Sequence, residues 1–429
     1  MSETRRFLFV TWDGGGNITP EFAVARRLIE RGHAVRVLGD PTLLAEAHTI
    51  GADFSPWTSA PHRTSRDREH DIFKDYDIKN PLAMIDAYMQ KFLAAPAPRW
   101  AADTHAVLKA HPVDLVVVDF GIPAALIAAA SLKLPTATLM TNIWAVPTPG
   151  IPPLGPGLFP ARGFLGRMRD ALLRGVMHRV MGRALPALNA VRQSYGLPKV
   201  RSVYDQLLGA DQVLVQTSPE FDFTSSHIPA KVRYVGPELA DPGWSATWQS
   251  PFAADDKRPL VLVGLSSTFQ DQVATLRRIV RALSRLPVRG LVTLGPVLSP
   301  SEVPGSANVV VVRSAPHSQI LEQAALLITH CGHGTTLKGL AAGVPVLCMP
   351  MGRDQNDTAA RVVHRGAGLR LKPDAAADRI LAAVERLLAE PSYKDHAVRL
   401  QAAIRGRQGC ADAVELLLAA AAAGVGISR

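Results

Sequence analysis

A chain of 429 residues with 47% apolar and 20% charged side chains can build two domains, each with its own core, and is not a disordered polymer. No uninterrupted apolar run reaches about 18 residues, so a spanning helix is not expected. The formal charge of +10 fits an anionic small substrate, nucleic acid or an acidic membrane surface. Because no basic run is interleaved with aromatics, nucleic acid is not expected as a partner.

The N-terminus enters a strand at 6–11 without a signal-type region. Three isolated cysteines, Cys331, Cys348 and Cys410, lack metal spacing. A cytoplasmic protein without disulfides is the expectation. A helix over 20–31 and a strand over 34–38 follow, and this alternation implies a parallel, doubly wound α/β sheet. Segment 56–100 is irregular and polar at first, then places Met84, Ile85, Tyr88, Met89, Phe92 and Leu93 at helical spacing, as core residues are placed. The apolar run 113–118 reads as a strand buried on both faces.

Segment 142–166 is rich in Pro and Gly and is read as a ligand-pocket wall, a lid or a plain connector. A helix is expected over 166–192. Within 158–185, Arg162, Arg167, Arg169, Arg174, Arg179 and Arg183 alternate with Phe, Leu, Met and Val. That pattern suits a membrane surface, but a helix packed on its own domain with a solvated basic face is the expectation. After a strand at 212–216, residues 236–258 read as a linker by composition. A second alternation then carries strands at 260–265, 290–294, 309–312, 326–329 and 345–349. The expected organisation is one domain over 1–235, the linker over 236–258, a second domain over 259–408, and a terminal helix within 409–429 packing back across the boundary.

The densest chemical signal lies at 329–362. A short apolar strand ends at His330, Cys331, Gly332, His333, Gly334, Thr335 and Thr336, and a helix should begin near Thr335. Gly332 and Gly334 let the backbone approach a ligand, and free amides at a helix start bind anions. His330 would face a phosphate. A second strand ends at Pro350, after which Arg353, Asp354 and Gln355 occupy a turn. A carboxylate beside a carboxamide suits a ligand with several hydroxyls.

This segment resembles the donor-binding signature of the GT-B, family 1 glycosyltransferases, which include bacterial natural-product and plant small-molecule enzymes. The resemblance implies two Rossmann-like domains facing a central cleft, and inverting transfer of a sugar from a UDP- or TDP-sugar to a small, largely apolar acceptor. It implies that His330 contacts the diphosphate, that His333, Gly334 and Thr335 hold the other phosphate, and that Asp354 and Gln355 bind the sugar. Ser267 or Thr268, in the GLSST turn after 260–265, is expected to contact the diphosphate. The backbone of Ala315, supplemented by His317 or Arg313, is expected at the base, where relatives commonly place an aromatic at the position of Ser314. No metal and no cofactor beyond the nucleotide sugar is expected; a lipid acceptor at a membrane, or a silent sugar-nucleotide binder, is the alternative. A monomer or homodimer is expected.

Two further positions depart from the family pattern. The first loop, Trp12 to Pro20, carries Asn17 where relatives carry the His that deprotonates the acceptor, and a carboxamide has no useful basicity. Asp119 matches the Asp that orients that His. Three readings stay open: Asp13 or Asp119 acts as the base, the acceptor needs little help, or catalysis is impaired. Lys338 stands where relatives commonly place a Glu for the ribose hydroxyls; it either favours a deoxyribose nucleotide or points to solvent. Two weaker patterns complete the reading. Gly14 and Gly16 with Asp40 suggest a dinucleotide fingerprint, but its third glycine falls at Thr19. The Asp75, Tyr76, Asp77 string is expected at the surface.

Overall fold

The computed structural model describes residues 3–78, 81–241, 248–407 and 409–425. Continuous apolar runs form two all-parallel sheets whose faces are covered by helices, as parallel pairing requires. The first sheet contains β1 (Arg6–Val10), β2 (Ala34–Gly39), β3 (Asp53–Pro56), β4 (Leu115–Asp119), β5 (Thr136–Met140), β6 (Gln212–Val215) and β7 (Val232–Tyr234). Their order is β3-β2-β1-β4-β5-β6-β7. The second contains β8 (Leu260–Gly264), β9 (Arg289–Thr293), β10 (Val309–Val312), β11 (Ala324–Thr329), β12 (Val346–Cys348) and β13 (Gly368–Arg370), in the order β10-β9-β8-β11-β12-β13. Each sheet reverses its order once, between β1 and β4 and between β8 and β11. Ligand clefts form outside the carboxyl ends of strands at such reversals.

Several elements differ from the sequence expectation. The helix expected over 166–192 is two, Gly163–Met181 and Leu185–Ser194, separated by a tight 3-10 turn at Gly182–Ala184. Pro186, lacking an amide hydrogen, fits the first turn of the second helix, not the interior of one long helix. Helix Pro81–Tyr88 continues into a π-helical turn, Met89–Leu93, whose Met89, Phe92 and Leu93 pack with Trp57 and Trp100 in the core.

Several contacts among the described residues tie the halves together. Arg361 donates from Nε to Asp222 Oδ1 at 2.6 Å, an ion pair buried on both sides, and lies over the Phe223 ring. Asp357, on helix Gln355–His364, accepts from the amides of Gly155 and Gly157 at 2.6 and 3.2 Å, so the Pro- and Gly-rich segment is clamped to the second domain. Burial pushes that carboxyl up to about 6. Helix Cys410–Val425 returns to the first domain, where Ala413, Val414, Leu417 and Ala421 share a core with Phe7, Phe9, Phe22, Val24, Val35 and Val117. Part of the linker, 242–247, lies outside the described residues. On either side of it, Leu239, Trp248 and Phe252 pack against the second domain's core.

Candidate active site

The loops leaving β1 and β4 meet at the first sheet's reversal. Asn17 donates from Nδ2 to the Trp12 carbonyl at 3.0 Å and to Asp119 Oδ2 at 2.9 Å. Two acceptors on one side fix the amide's orientation and turn Oδ1 the other way. The second Asp119 oxygen accepts from the Gly121 amide at 2.6 Å and from Trp12 Nε1 at 3.2 Å. Glu21, in the first turn of helix Ile18–Glu30, is 2% exposed beside them. Burial, and then the neighbouring Asp119 carboxylate, push its carboxyl well above the ordinary range. Trp12, Phe73 and Tyr88 pack on Phe92 to make an aromatic wall next to this polar cluster, with ring centroids 4.6, 5.6 and 5.8 Å away.

Asp13 does not join that cluster. Its buried Oδ2 accepts from Arg66 Nε and Thr42 Oγ1, each at 2.8 Å. Asp40 is also turned inward: Oδ2 accepts from the Asp13 amide at 2.8 Å, so it stands under the loop and does not reach for a ribose. Burial pushes its carboxyl up to about 7.

The opposite wall belongs to β8 and β11, paired with Gly264 beside Thr329. His330 follows β11, and a Cβ added at Gly332 would lie 2.6 Å from its Nε2 and 2.7 Å from its Cε1. Glycine is needed there because the ring packs over the backbone. Burial, and then Arg353, bring the His330 imidazole down to about 3, so it is neutral. Helix His333–Ala341 follows with Gly332 at its cap position and no side-chain cap, which leaves first-turn amides for an anion. Gly334 is exposed and a Cβ there would meet nothing within 4 Å, while Thr335 beside it is half-buried. The His333 ring turns toward the Thr141 backbone of the first domain, and burial brings its imidazole down to about 3.

Gly15 and the GLSST turn face each other across the cleft. A Cβ at Gly15 would lie 2.8 Å from Thr268 Cγ2 and 3.4 Å from Ser267 Oγ. Thr268 is held by Ser266, whose Oγ accepts from the Thr268 amide at 3.1 Å and lies 3.0 Å from its hydroxyl. Ser267 is half-buried.

Three other expected contacts take a different form. Gln355 is buried, with Oε1 accepting from the Met351 and Gly352 amides at 2.8 and 3.1 Å and Nε2 donating to Gln270 at 2.9 Å. Its amide shapes the turn, which leaves half-buried Asp354, its carboxyl pushed up by burial, as the group presented there. His317 packs under Gly264, and its Nε2 lies 2.9 Å from Thr293 Oγ1. Burial brings it down to about 4, and it supports the strand end near the backbone of buried Ala315. Lys338 points to neither solvent nor open cleft: Nζ sits 2.8 Å from Asp241 Oδ1, which also accepts from the Ser318 amide at 3.3 Å. Tyr76 of the Asp-Tyr-Asp string packs edge-on against Phe269 across the domains.

A family profile described as Erythromycin biosynthesis protein CIII-like, C-terminal domain, matches residues 297–419. A 4'-demethylrebeccamycin synthase from Lentzea aerocolonigenes is 30% identical over 423 residues, covering 96% of this chain and 98% of that protein. The chain belongs to the family 1 glycosyltransferases of GT-B fold. An oleandomycin glycosyltransferase from Streptomyces antibioticus is 26% identical over 94% of this glycosyltransferase and 87% of its own length. Among solved structures, the kitacinnamycin glycotransferase superposes with a TM-score of 0.77 at 21% identity, covering 98% of this chain and all of that one. The glycosyltransferase VinC, solved in complex with DTDP, gives 0.68 at 21% identity over 97% and 99%.

Sequence reasoning on this glycosyltransferase passed over Glu21, Arg66 and Asp241. Glu21 resembles any acidic residue in a helix's first turn, although its position four residues after Asn17 places both on one side of the helix start. Arg66 and Asp241 carried no local signal, because their partners lie 53 and 97 residues away.

Proposed function

We propose that this glycosyltransferase moves a sugar, with inversion, from a UDP- or TDP-sugar to a small, largely apolar natural-product aglycone, using neither a metal nor a further cofactor. The observation that carries the reading is the juxtaposition of the Asn17–Asp119 pair with an anion site, across a cleft where Gly15 faces Ser267 and Thr268. The relatives named for rebeccamycin and oleandomycin chemistry support the acceptor class, and the DTDP complex of VinC supports the donor class.

In this reading the aromatic wall of Trp12, Phe92 and Tyr88 holds the acceptor's apolar body. Asp119, held in place by Asn17 Nδ2, takes the proton from the acceptor's nucleophilic group as that group's lone pair attacks the anomeric carbon. The bond to the diphosphate breaks, and the charge gathered there meets His330, the Thr335 hydroxyl and the amides at the helix start. Asp354 contacts the sugar. Ser267 and Thr268 contact the phosphates, and the Ala315 backbone contacts the base.

A thermal-shift panel of UDP- and TDP-sugars tests the donor, since stabilisation follows affinity without requiring the acceptor. Turnover with an aromatic aglycone panel tests the chemistry. Stabilisation by a nucleotide sugar, with transfer that Asp119→Asn lowers by about 10², is the expected result. Tight binding without any turnover would leave a silent binder.

A further inference from the structure

Helix Gly163–Met181 buries only Asp170 and Met181. Its outward side carries, beside the solvated basic residues that the sequence suggests, a row of large apolar side chains. Phe164, Leu165, Met168, Leu172 and Val176 are 67, 79, 53, 70 and 45% exposed. Residues 164, 168, 172 and 176 recur every four positions, and Leu165 widens the same stripe. Phe159, 43% exposed, lies just before it. A row of large apolar side chains in water is unfavourable, at about 25 cal/mol per Å² left uncovered, so it marks a contact surface.

Charge selects the occupant. Arg167 and Arg174 lie along one flank of the stripe, Arg162 and Arg169 along the other, and Arg179 and Arg183 near its end. Asp170 is the helix's only acid, buried and paired with Arg169 at 2.8 Å. Arg162, Arg167, Arg179 and Arg183 are exposed and make no ion pair among the described residues. A second copy docking by the same face would press arginines against arginines with no exposed acid on the helix to answer them. An anionic bilayer meets both features: its acyl boundary takes Phe164, Leu165, Met168 and Leu172, and its headgroups take the arginines.

We propose that helix Gly163–Met181 is a peripheral membrane-docking element that lays its Phe164–Val176 stripe into the headgroup boundary of an anionic bilayer. No helix among the described residues is long and apolar enough to cross one, so attachment is reversible and interfacial. The proposal does not depend on the identity of the acceptor.

The full chain is sedimented with phosphatidylcholine vesicles, with and without about one quarter phosphatidylglycerol, at about 0.05 M and about 0.5 M salt. Binding to the anionic vesicles at low salt, lost at high salt and absent on pure phosphatidylcholine, is expected. The triple variant Arg162→Gln, Arg167→Gln, Arg179→Gln should weaken it on the order of a hundredfold, at about tenfold or less per arginine. Phe164→Ser with Leu165→Ser and Leu172→Ser should weaken it at least as much while keeping turnover on a water-soluble acceptor. Wild-type protein left in the supernatant with anionic vesicles overturns the proposal, as do arginine variants that bind like wild type. So does a dimer in light scattering that the serine variant dissociates, since a second copy would then cover the stripe.

Discussion

Substituting Gly332 tests the donor site without removing any group proposed to act there. Its backbone, at φ −56° and ψ 134°, is open to any residue, so Gly332→Ala brings no backbone strain. The new methyl would stand 2.6 Å from His330 Nε2 and 2.7 Å from Cε1, too close for contact, and the ring must move. A displaced imidazole loses a hydrogen bond to a charged diphosphate, a loss of about 1.5–3 kcal/mol, or roughly 10- to 150-fold in affinity. His330→Ala alone should cost a similar amount. In the His330→Ala background the methyl has no ring to displace, so Gly332→Ala should then cost less than about 0.5 kcal/mol, and the two changes should be strongly non-additive. Calorimetric titration of UDP and TDP into the four proteins reads the cycle. Additive losses, or a Gly332→Ala protein that binds diphosphate as tightly as wild type, would refute the placement of His330 at the leaving group.

Asp119→Asn should lower transfer by about 10² with nucleotide affinity preserved, whereas Asp13→Asn should leave turnover within about threefold and cost about 1–2 kcal/mol of stability through its lost partners. Equal loss of rate in both variants would mean that the Arg66 pair does not set Asp13 aside. Lys338→Met strands the Asp241 carboxylate at a site only 12% exposed, and chemical denaturation should show a loss of about 2–4 kcal/mol that Asp241→Asn in the same chain largely restores. If the double variant is no better than the single one, the pair is not what stabilises this contact. Asp40, with its folded carboxyl raised to about 7, favours the folded state fully below about pH 4 and loses that contribution as pH rises through 7, by about 4 kcal/mol at most. Asp40→Asn should therefore flatten the fall in Tm between about pH 5 and 8; parallel wild-type and variant curves would count against the burial of this carboxyl.

The elements legible in the sequence are those whose signal is local. Runs such as Leu115–Asp119 and Leu260–Gly264 are apolar on both faces and read directly as central strands, and Val309–Val312, though at an edge, is an unbroken valine run. The edge strands Asp53–Pro56, Val232–Tyr234 and Gly368–Arg370 are three or four residues long and half-exposed, so they carry no such pattern. Thr136–Met140, though central, mixes Thr with apolar residues and was missed as well. In the site, the glycine spacing at 332–334 announced the turn and helix start, and at Gly332 it is the His330 ring packed over the backbone that leaves no room for a side chain. The direction of a side chain was not legible. Gln355 turns inward because two amides of its own turn need an acceptor, and Lys338 turns aside because a linker aspartate from 97 residues away reaches it.

The return of helix Cys410–Val425 to the first sheet has a consequence for synthesis. The apolar face formed by Phe7, Phe9, Val35 and Val117 is covered in part by Ala413, Val414 and Leu417, which leave the ribosome nearly 300 residues after β4. At about 5–20 residues per second the nascent N-terminal half therefore waits roughly 15–60 s with that face incompletely covered. During this interval it is the natural target of chaperones that bind exposed apolar chain. A translational pause anywhere between β4 and this helix lengthens the interval and should raise aggregation more than a pause of equal length before β4.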